Sequence, residues 1–258
     1  MEITDPSFNY DRLGQTYSSY RQADPRIAAY LDDALGSART VLNVGAGSGS
    51  YEPADRYVIA VEPSSVMRSQ RQSLNKWPAV IGRGDALPFD DQSFDACMAL
   101  LTLHHWPDMD KGLRELKRVA RRVIIMTFDP DALDDFWNVH YFPGVIEIEK
   151  GRYPTMEFIL ESLDGKGEII PVPVPLDCTD GFQEAFYGRP EAFLQKEVRL
   201  SQSAWGFLPP DLETQYVEHL RKEILSGDWD RKYGHFRTQP YFNGALRLIV
   251  HPSPDPLI

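Results

Sequence analysis

The stretch Thr40 to Ser50, TVLNVGAGSGS, constrains this chain more than any other. An apolar run ends there in three glycines at alternate positions, Gly45, Gly47 and Gly49, and only glycine lets a backbone turn sharply with no Cβ on its ligand side. The run reads as a β-strand entering a loop whose backbone N–H groups cradle a nucleotide-like ligand. The spacing is G-x-G-x-G; the dinucleotide fingerprint G-x-G-x-x-G needs its third small residue at position 50, which is Ser here. Two acids extend the pattern. Tyr57–Val61 is a second apolar run that ends in Glu62, a carboxylate at a strand tip where it can accept from two vicinal ribose hydroxyls. A third run at 79–82 leads through Gly84 to Asp85, whose carboxylate can accept from an adenine amino group.

Four segments then occur in a telling order: VLNVGAGSG, VIAVEPS, GDALPFDDQSFDACMALLTLHHW and LRELKRVARRVIIMTF. Through them, over roughly residues 10–130, the chain resembles the class I S-adenosylmethionine-dependent methyltransferases. The resemblance is to the small-molecule branch similar to the ubiquinone and menaquinone biosynthesis enzymes. It implies S-adenosyl-L-methionine as cofactor and S-adenosyl-L-homocysteine as product. It also implies cofactor contacts from Gly45, Ala46, Gly47, Gly49, Glu62, Pro63, Asp85, Ala86, Leu87 and Leu101. In that family the N-terminal region closes over the cofactor, which puts Tyr17, Tyr20 and Arg21 near the methionine end, where a guanidinium can pair with the carboxylate. Asn43 departs from the pattern. The family usually carries Asp or Glu there, and Asn43 keeps an acceptor while losing a negative charge for the cofactor's ammonium group.

The formal net charge of −11 speaks against a nucleic-acid substrate, because phosphate backbones are held by clustered Lys and Arg. The basic group Arg114, Lys117, Arg118, Arg121 and Arg122 reads as the solvated face and C-terminal end of a helix. Cys97 and Cys178 are too few for a disulfide framework, so a reducing compartment is expected. No signal-like leader is apparent, nor an apolar run near the ~18 residues of a spanning helix, so the expectation is a soluble, cytoplasmic protein with no membrane partner. No metal is expected, since no ligand set follows His104 and His105 at zinc spacing. Oligomeric state is left open.

Strands alternate with helices as far as Phe128, which makes a parallel, doubly wound α/β sheet. Helices are expected from Asp24-Pro25 to Gly36, from Ser64-Ser65 to Leu74, and over Asp108–Ala120. The link from 45 to 56 leaves room for a turn or two of helix at most. Phe94–Leu103 and Val123–Phe128 supply strands four and five. A sixth is expected near 168–174 within Gly167–Val174, its prolines demanding an edge or an end, and a seventh at Ala245–Val250, antiparallel in the resembled fold. The whole, 1–258, then reads as one Rossmann-like methyltransferase domain. Its parts are an N-terminal flap (1–24), a cofactor-binding core (25–130), a helical substrate cap (131–240) that includes a helix over Leu212–Leu225, and a final strand with its tail (241–258).

The expected reaction is in-line attack of a small organic acceptor on the sulfonium methyl group. An S-adenosylmethionine-binding regulator without turnover is the alternative, and an NAD-dependent oxidoreductase a weaker one. Two aromatic segments, Trp137–Phe142 and Asp177–Tyr187, are expected to roof the methyl group. They give a substrate set of Trp137, His140, Tyr141, Asp177, Phe182 and Tyr187, joined by His104, with Glu184 as a further polar group. Tyr141 and His105 are the candidates for proton transfer.

Overall fold

Asp24 and Pro25 open helix α1 (Pro25–Leu35) in the computed structural model, which describes residues 20–252. The Asp24 carboxylate accepts from the Arg26 amide at 2.9 Å, and Pro25 takes a position where its missing N–H costs nothing. Gly36, at φ +54°, ends the helix. Ile27, Leu31, Ala34 and Leu35 bury one stripe against the sheet. Tyr17 lies outside the described residues.

The strands in chain order are β1 (Thr40–Val44), β2 (Tyr57–Val61), β3 (Phe94–Leu100), β4 (Ala120–Phe128), β5 (Glu168–Pro171), β6 (Val174–Pro175), β7 (Tyr241–Phe242) and β8 (Leu246–His251). The main sheet runs β2-β1-β3-β4-β8-β5. β1 to β4 are parallel, and β8 runs antiparallel between β4 and β5, as expected of the last strand. β1 lies between two neighbours, and Val41, Leu42 and Val44 are fully buried, because a parallel strand covered on both faces is apolar throughout.

Among the described residues the main sheet has six strands where seven are expected. Residues 79–82 contribute a single bridge, Val80 beside Val61, with the Val80 amide donating to Ala60 O at 2.8 Å. Pro78 has no N–H to lengthen this edge ladder, and Gly82 has no side chain to pack. The segment at 168–175 splits for the same reason. β5 ends at Pro171 on the outer edge of the sheet, and Val174–Pro175 pairs instead with Tyr241–Phe242 in a separate two-stranded ladder.

Ser64 caps α2 (Ser65–Ser73), and Asp108 caps α3 (Met109–Val119), which passes directly into β4 at Ala120. The link between β1 and β2 contains no helix. On the outward face of α3 the basic residues are paired: Arg118 meets Glu115 at 2.6 Å and Asp91 at 2.9 Å.

Beyond β4 the cap contains α4 (Asn138–Tyr141), α5 (Pro143–Arg152), α6 (Met156–Ser162), α7 (Lys196–Leu200), α8 (Pro210–Ser226) and α9 (Asp228–Tyr233). Its aromatics pack edge to face: Trp137 against Phe193 and Trp229 with centroids at 5.7 and 5.5 Å, and Phe142 against Trp205 at 4.8 Å. One apolar cluster runs unbroken from α1 across the sheet into these rings. Another lies between the opposite face and α3 and α6. Among the described residues no helix is long and apolar enough to cross a membrane.

Candidate active site

The glycine loop leaves the C-terminal end of β1. A Cβ on Gly45 would fall 2.1 Å from Thr102 Oγ1, and its φ of +68° already excludes most L-residues, so the first glycine lets the loop press against the end of β3. Gly47, at φ +52°, differs: a Cβ there would meet nothing within 4 Å, so this glycine faces open space. The loop amides were expected to await a ligand. Instead Gly45 and Ala46 both donate to Val61 O, at 2.9 and 3.0 Å, and Gly49 donates to Ala46 O at 2.9 Å. The Gly47 amide donates to Glu62 Oε2 at 2.8 Å. Glu62 Oε1 accepts from the Ser64 amide at 2.8 Å, and burial of this carboxyl raises its pKa.

Beneath the loop, Asn43 Nδ2 donates to Glu52 Oε1 at 3.0 Å. Glu52 in turn takes a bidentate pair of bonds from Arg71, at 2.8 and 3.0 Å, in a nearly water-free setting. A Cβ on Gly49 would lie 2.8 Å from both Arg71 Nη1 and Glu52 Oε2, so the last glycine makes room for this ion pair. The negative charge lacking at position 43 is thus present one contact away.

Asp85 lies beyond the Val80 bridge and pairs with Arg83 at 2.8 and 3.0 Å, which lowers its pKa. Ala86 and Pro63 are exposed, and the Leu87 amide is held by Glu115 Oε2 at 2.8 Å. Trp106 explains the close of the HHW motif. Its ring is wedged between Gly84 and Gly112, where added Cβ atoms would come within 2.8 and 2.3 Å, and it fixes the Asp85 loop against α3.

A cavity opens at the C-terminal ends of β3 and β4, where open α/β sheets hold ligands. Phe128, Leu133, Phe136, Ile146 and Phe182 make its apolar wall, and Glu149, Gln183, Glu184, Gln202 and Ser203 its polar wall. Arg21, Leu101, His104 and Tyr153 complete it. Leu101 holds a left-handed φ of +53°, an uncommon state for a non-glycine residue and one concentrated at functional sites. The cavity adjoins the glycine loop: Thr102, next to Leu101, packs over Gly45, and Ser50 Oγ donates to the Arg21 carbonyl at 3.1 Å. Asp180 ties these parts together, accepting from Arg21 Nε at 2.5 Å and from Tyr51 Oη at 3.0 Å. The Tyr20 carbonyl accepts from the Gly181 amide at 2.8 Å.

Several expected residues lie elsewhere. Tyr141 does not reach the cavity; it is buried in the cap, and its hydroxyl donates to Glu223 at 2.6 Å. Trp137 donates through Nε1 to Tyr187 O at 2.8 Å, and Tyr187 stacks on Phe242 at 5.2 Å while donating to Gln239 O at 2.5 Å. Both build the cap's own core. His140 is exposed beside the Tyr233 hydroxyl, and Asp177, with its side chain 81% exposed, pairs with Arg26 at 2.6 Å on the outer surface. His105 is turned to Arg152, accepting at Nδ1 from Nη2 at 3.2 Å, and burial, reinforced by that cation, holds its pKa down at about 3. His104 is the member of the pair that lines the cavity, neutral through burial and with no partner at Nδ1. Of the expected substrate residues, His104 and Phe182 meet here, together with Arg21, Leu101 and Glu184. Glu149, Tyr153, Gln183, Gln202 and Ser203 were not foreseen. The single hint was an acid, Glu149, in step with Val145 and Ile146 on a helix.

Comparison with known proteins agrees with this fold. Residues 42–124 match the family model described as "Methyltransferase domain". The malonyl-[acyl-carrier protein] O-methyltransferase of Halorhodospira halophila is 29% identical over 212 residues, 71% of this chain and 72% of that protein. The ubiquinone/menaquinone biosynthesis C-methyltransferase of Bartonella bacilliformis is 26% identical over 180 residues, 60% of this chain and 69% of that one. Among solved structures, a protein of Anabaena variabilis assigned to the methyltransferases of an antibiotic biosynthesis pathway superposes with a TM-score of 0.82 at 29% identity, covering 91% of this chain and 99% of the other. Together these similarities support a class I S-adenosylmethionine-dependent methyltransferase.

Proposed function

We propose that this chain transfers the sulfonium methyl group of S-adenosylmethionine to a small organic acceptor held in the cavity between sheet and cap. The observation that carries the reading is the position of that cavity, with Leu101 and Arg21 in its wall and the glycine loop directly behind them. The residues present fit the cofactor. Gly47 leaves free the space that any Cβ would take, and Glu62, already bonded to the Gly47 amide, offers further lone pairs to ribose hydroxyls. Asp85, whose two oxygens also hold Arg83, is the acid assigned in this reading to the adenine amino group, beside Ala86 and Leu87, with Asn43, Gly45, Ala46, Gly49 and Pro63 assigned to the rest of the cradle. In this reading 25–130 is the cofactor-binding core, 131–240 the substrate cap and 241–252 the returning strand, while residues 1–19 of the expected flap and 253–258 of the tail lie outside the described residues.

When bound, S-adenosylmethionine supplies an electrophilic methyl carbon. The chain's own residues orient the acceptor and keep water out: the wall of Phe128, Phe136 and Phe182 is apolar, and the polar groups gather opposite it. Fixing two reactants in line is worth up to roughly 7 to 11 kcal/mol, so no covalent nucleophile is needed. Calorimetry with S-adenosylhomocysteine, followed by a screen of small metabolites for S-adenosylhomocysteine formation, tests the reading. Micromolar binding and turnover of at least one acceptor are expected. A chain that binds no S-adenosylhomocysteine would refute it.

A further inference from the structure

We infer that the methyl acceptor is a small amine, cationic in solution, which the buried carboxyl groups of Glu149 and Glu184 hold at the polar wall of the cavity, with Glu184 taking its proton. The inference rests on the reading of this cavity as the acceptor site.

Glu184 is 1% exposed and Glu149 6%, and both line the cavity. Glu184 Oε1 accepts from the Ala245 amide at 2.7 Å, an approach that only glycine at position 244 allows, since a Cβ there would lie 2.4 Å from that oxygen. Its other oxygen, Oε2, has no partner. A buried acceptor left unpaired is destabilising, and such a cost persists where a ligand relieves it. His104 Nδ1, in the same cavity wall, also lacks a partner.

The charges facing Glu184 decide what kind of ligand fits. Glu149 approaches from α5, Arg247 from β8, Arg21 from the N-terminal segment, and His104, uncharged, from the turn after β3. Both cations already have acid partners: Arg21 pairs with Asp180 at 2.5 Å and Arg247 with Asp129 at 3.4 Å. Arg152 of α5, which holds His105 and the cavity residue Ser203, faces Glu149 as a third cation, so one carboxyl group, Glu184, is left over, and the site attracts an ammonium group and repels a carboxylate. Burial pushes Glu149 up to about 6 and Glu184, which also feels Glu149, up to about 7, so near neutral pH each can exchange a proton with an amine. The rings of Phe128, Phe136, Tyr153 and Phe182 suit an aromatic body on that amine.

The proton balance closes. The ammonium gives one proton to Glu184 Oε2. The freed nitrogen lone pair forms the new bond to the methyl carbon as the carbon–sulfur bond breaks, its electron pair remaining on the neutral thioether. The product leaves as an N-methylammonium ion, and Glu184 returns its proton to water.

The test uses the full-length chain saturated with S-adenosylhomocysteine and two matched probe pairs: 2-phenylethylamine against 3-phenylpropionate, and tyramine against 3-(4-hydroxyphenyl)propionate. Calorimetry at pH 6, in buffers of different ionisation enthalpy, reads affinity and proton exchange together. The amines should bind about tenfold tighter or more and release a substantial fraction of a proton, because a bound cation forces Glu184 to ionise. Glu184→Gln should remove most of the release, leaving the smaller share of Glu149, with S-adenosylhomocysteine affinity unchanged, and Glu149→Gln should weaken the amines while keeping the larger share. Carboxylates binding as tightly as amines, no amine binding, or release undiminished by Glu184→Gln would each overturn the inference. The wild-type comparison decides even where a variant fails to fold. Failure of the wild type to bind S-adenosylhomocysteine would instead count against the methyltransferase reading itself.

Discussion

Glu62 Oε2 accepts from the Gly47 amide at 2.8 Å, so the acid at the tip of β2 and the middle glycine of the loop form one unit. Its other oxygen holds the Ser64 amide at the start of α2, which leaves the carboxylate rigid before any ligand arrives. Glu62→Ala should therefore cost S-adenosylhomocysteine about 1.5–3 kcal/mol, roughly 10- to 150-fold in Kd by calorimetry. Wild-type affinity in this variant would remove Glu62 from the cofactor site.

The first two glycines of the loop should fail differently. Gly45→Ala drives a methyl group into Thr102, with Oγ1 only 2.1 Å from the new atom, and the stability loss should exceed the roughly 1–2 kcal/mol of a left-handed L-residue alone. Gly47→Ala meets no atom within 4 Å, so it should lose only that backbone cost. Its affinity for S-adenosylhomocysteine should fall much further, because the methyl enters the ligand's space. Chemical denaturation and calorimetry on both variants check the contrast, and equal stability losses would contradict it.

Residues 24–130 were legible because their constraints are local. A glycine loop, a capping Asp24 before Pro25 and an acid ending an apolar run each specify structure within a few residues. Val80 marks the limit, since whether an edge run forms four rungs or one depends on how Pro78 and Gly82 meet β2. The cap was not legible to the same degree. Trp137, Tyr141 and Phe182 are alike in sequence, yet Phe182 faces the cavity while the other two pack into the cap. That difference arises from contacts fifty or more residues apart, such as Trp137 with Tyr187 and Tyr141 with Glu223. Glu184 was visible as a polar residue in an aromatic segment, but its opposition to Gly244 came only with the fold.

Tyr141 links α4 to α8 through its 2.6 Å bond to Glu223, which also takes Lys232 at 2.8 Å. Removing the hydroxyl leaves a charged acceptor short of one donor. Tyr141→Phe should therefore lower stability by about 1–2 kcal/mol, read from the denaturation midpoint at unchanged slope. The hydroxyl is absent from the cavity, so kcat and acceptor KM should stay at wild-type values. A selective fall in kcat would return Tyr141 to the chemistry.

His105 and Glu184 make opposite demands on acid stability. Burial holds the His105 pKa at about 3, well below its ordinary 6.5, and the Arg152 guanidinium donating to Nδ1 adds to the shift. Below pH 6.5 the unfolded chain therefore binds a proton at this residue that the folded chain refuses, and stability falls as the pH drops from 6.5 toward 3. His104, shifted the same way by burial, adds to the loss. Glu184 and Glu149, raised to about 7 and about 6, act in reverse: between those values and 4.5 the folded state binds the extra protons, and acidification stabilises it. The net slope of stability against pH is thus a difference, and single variants separate it. His105→Asn keeps an acceptor for Arg152 but cannot titrate, so its Tm should fall less than that of the wild type between pH 7 and pH 5. Glu184→Gln removes the opposing contribution, so its Tm should fall more over the same interval. Parallel Tm curves for all three proteins would mean that neither group is linked to folding.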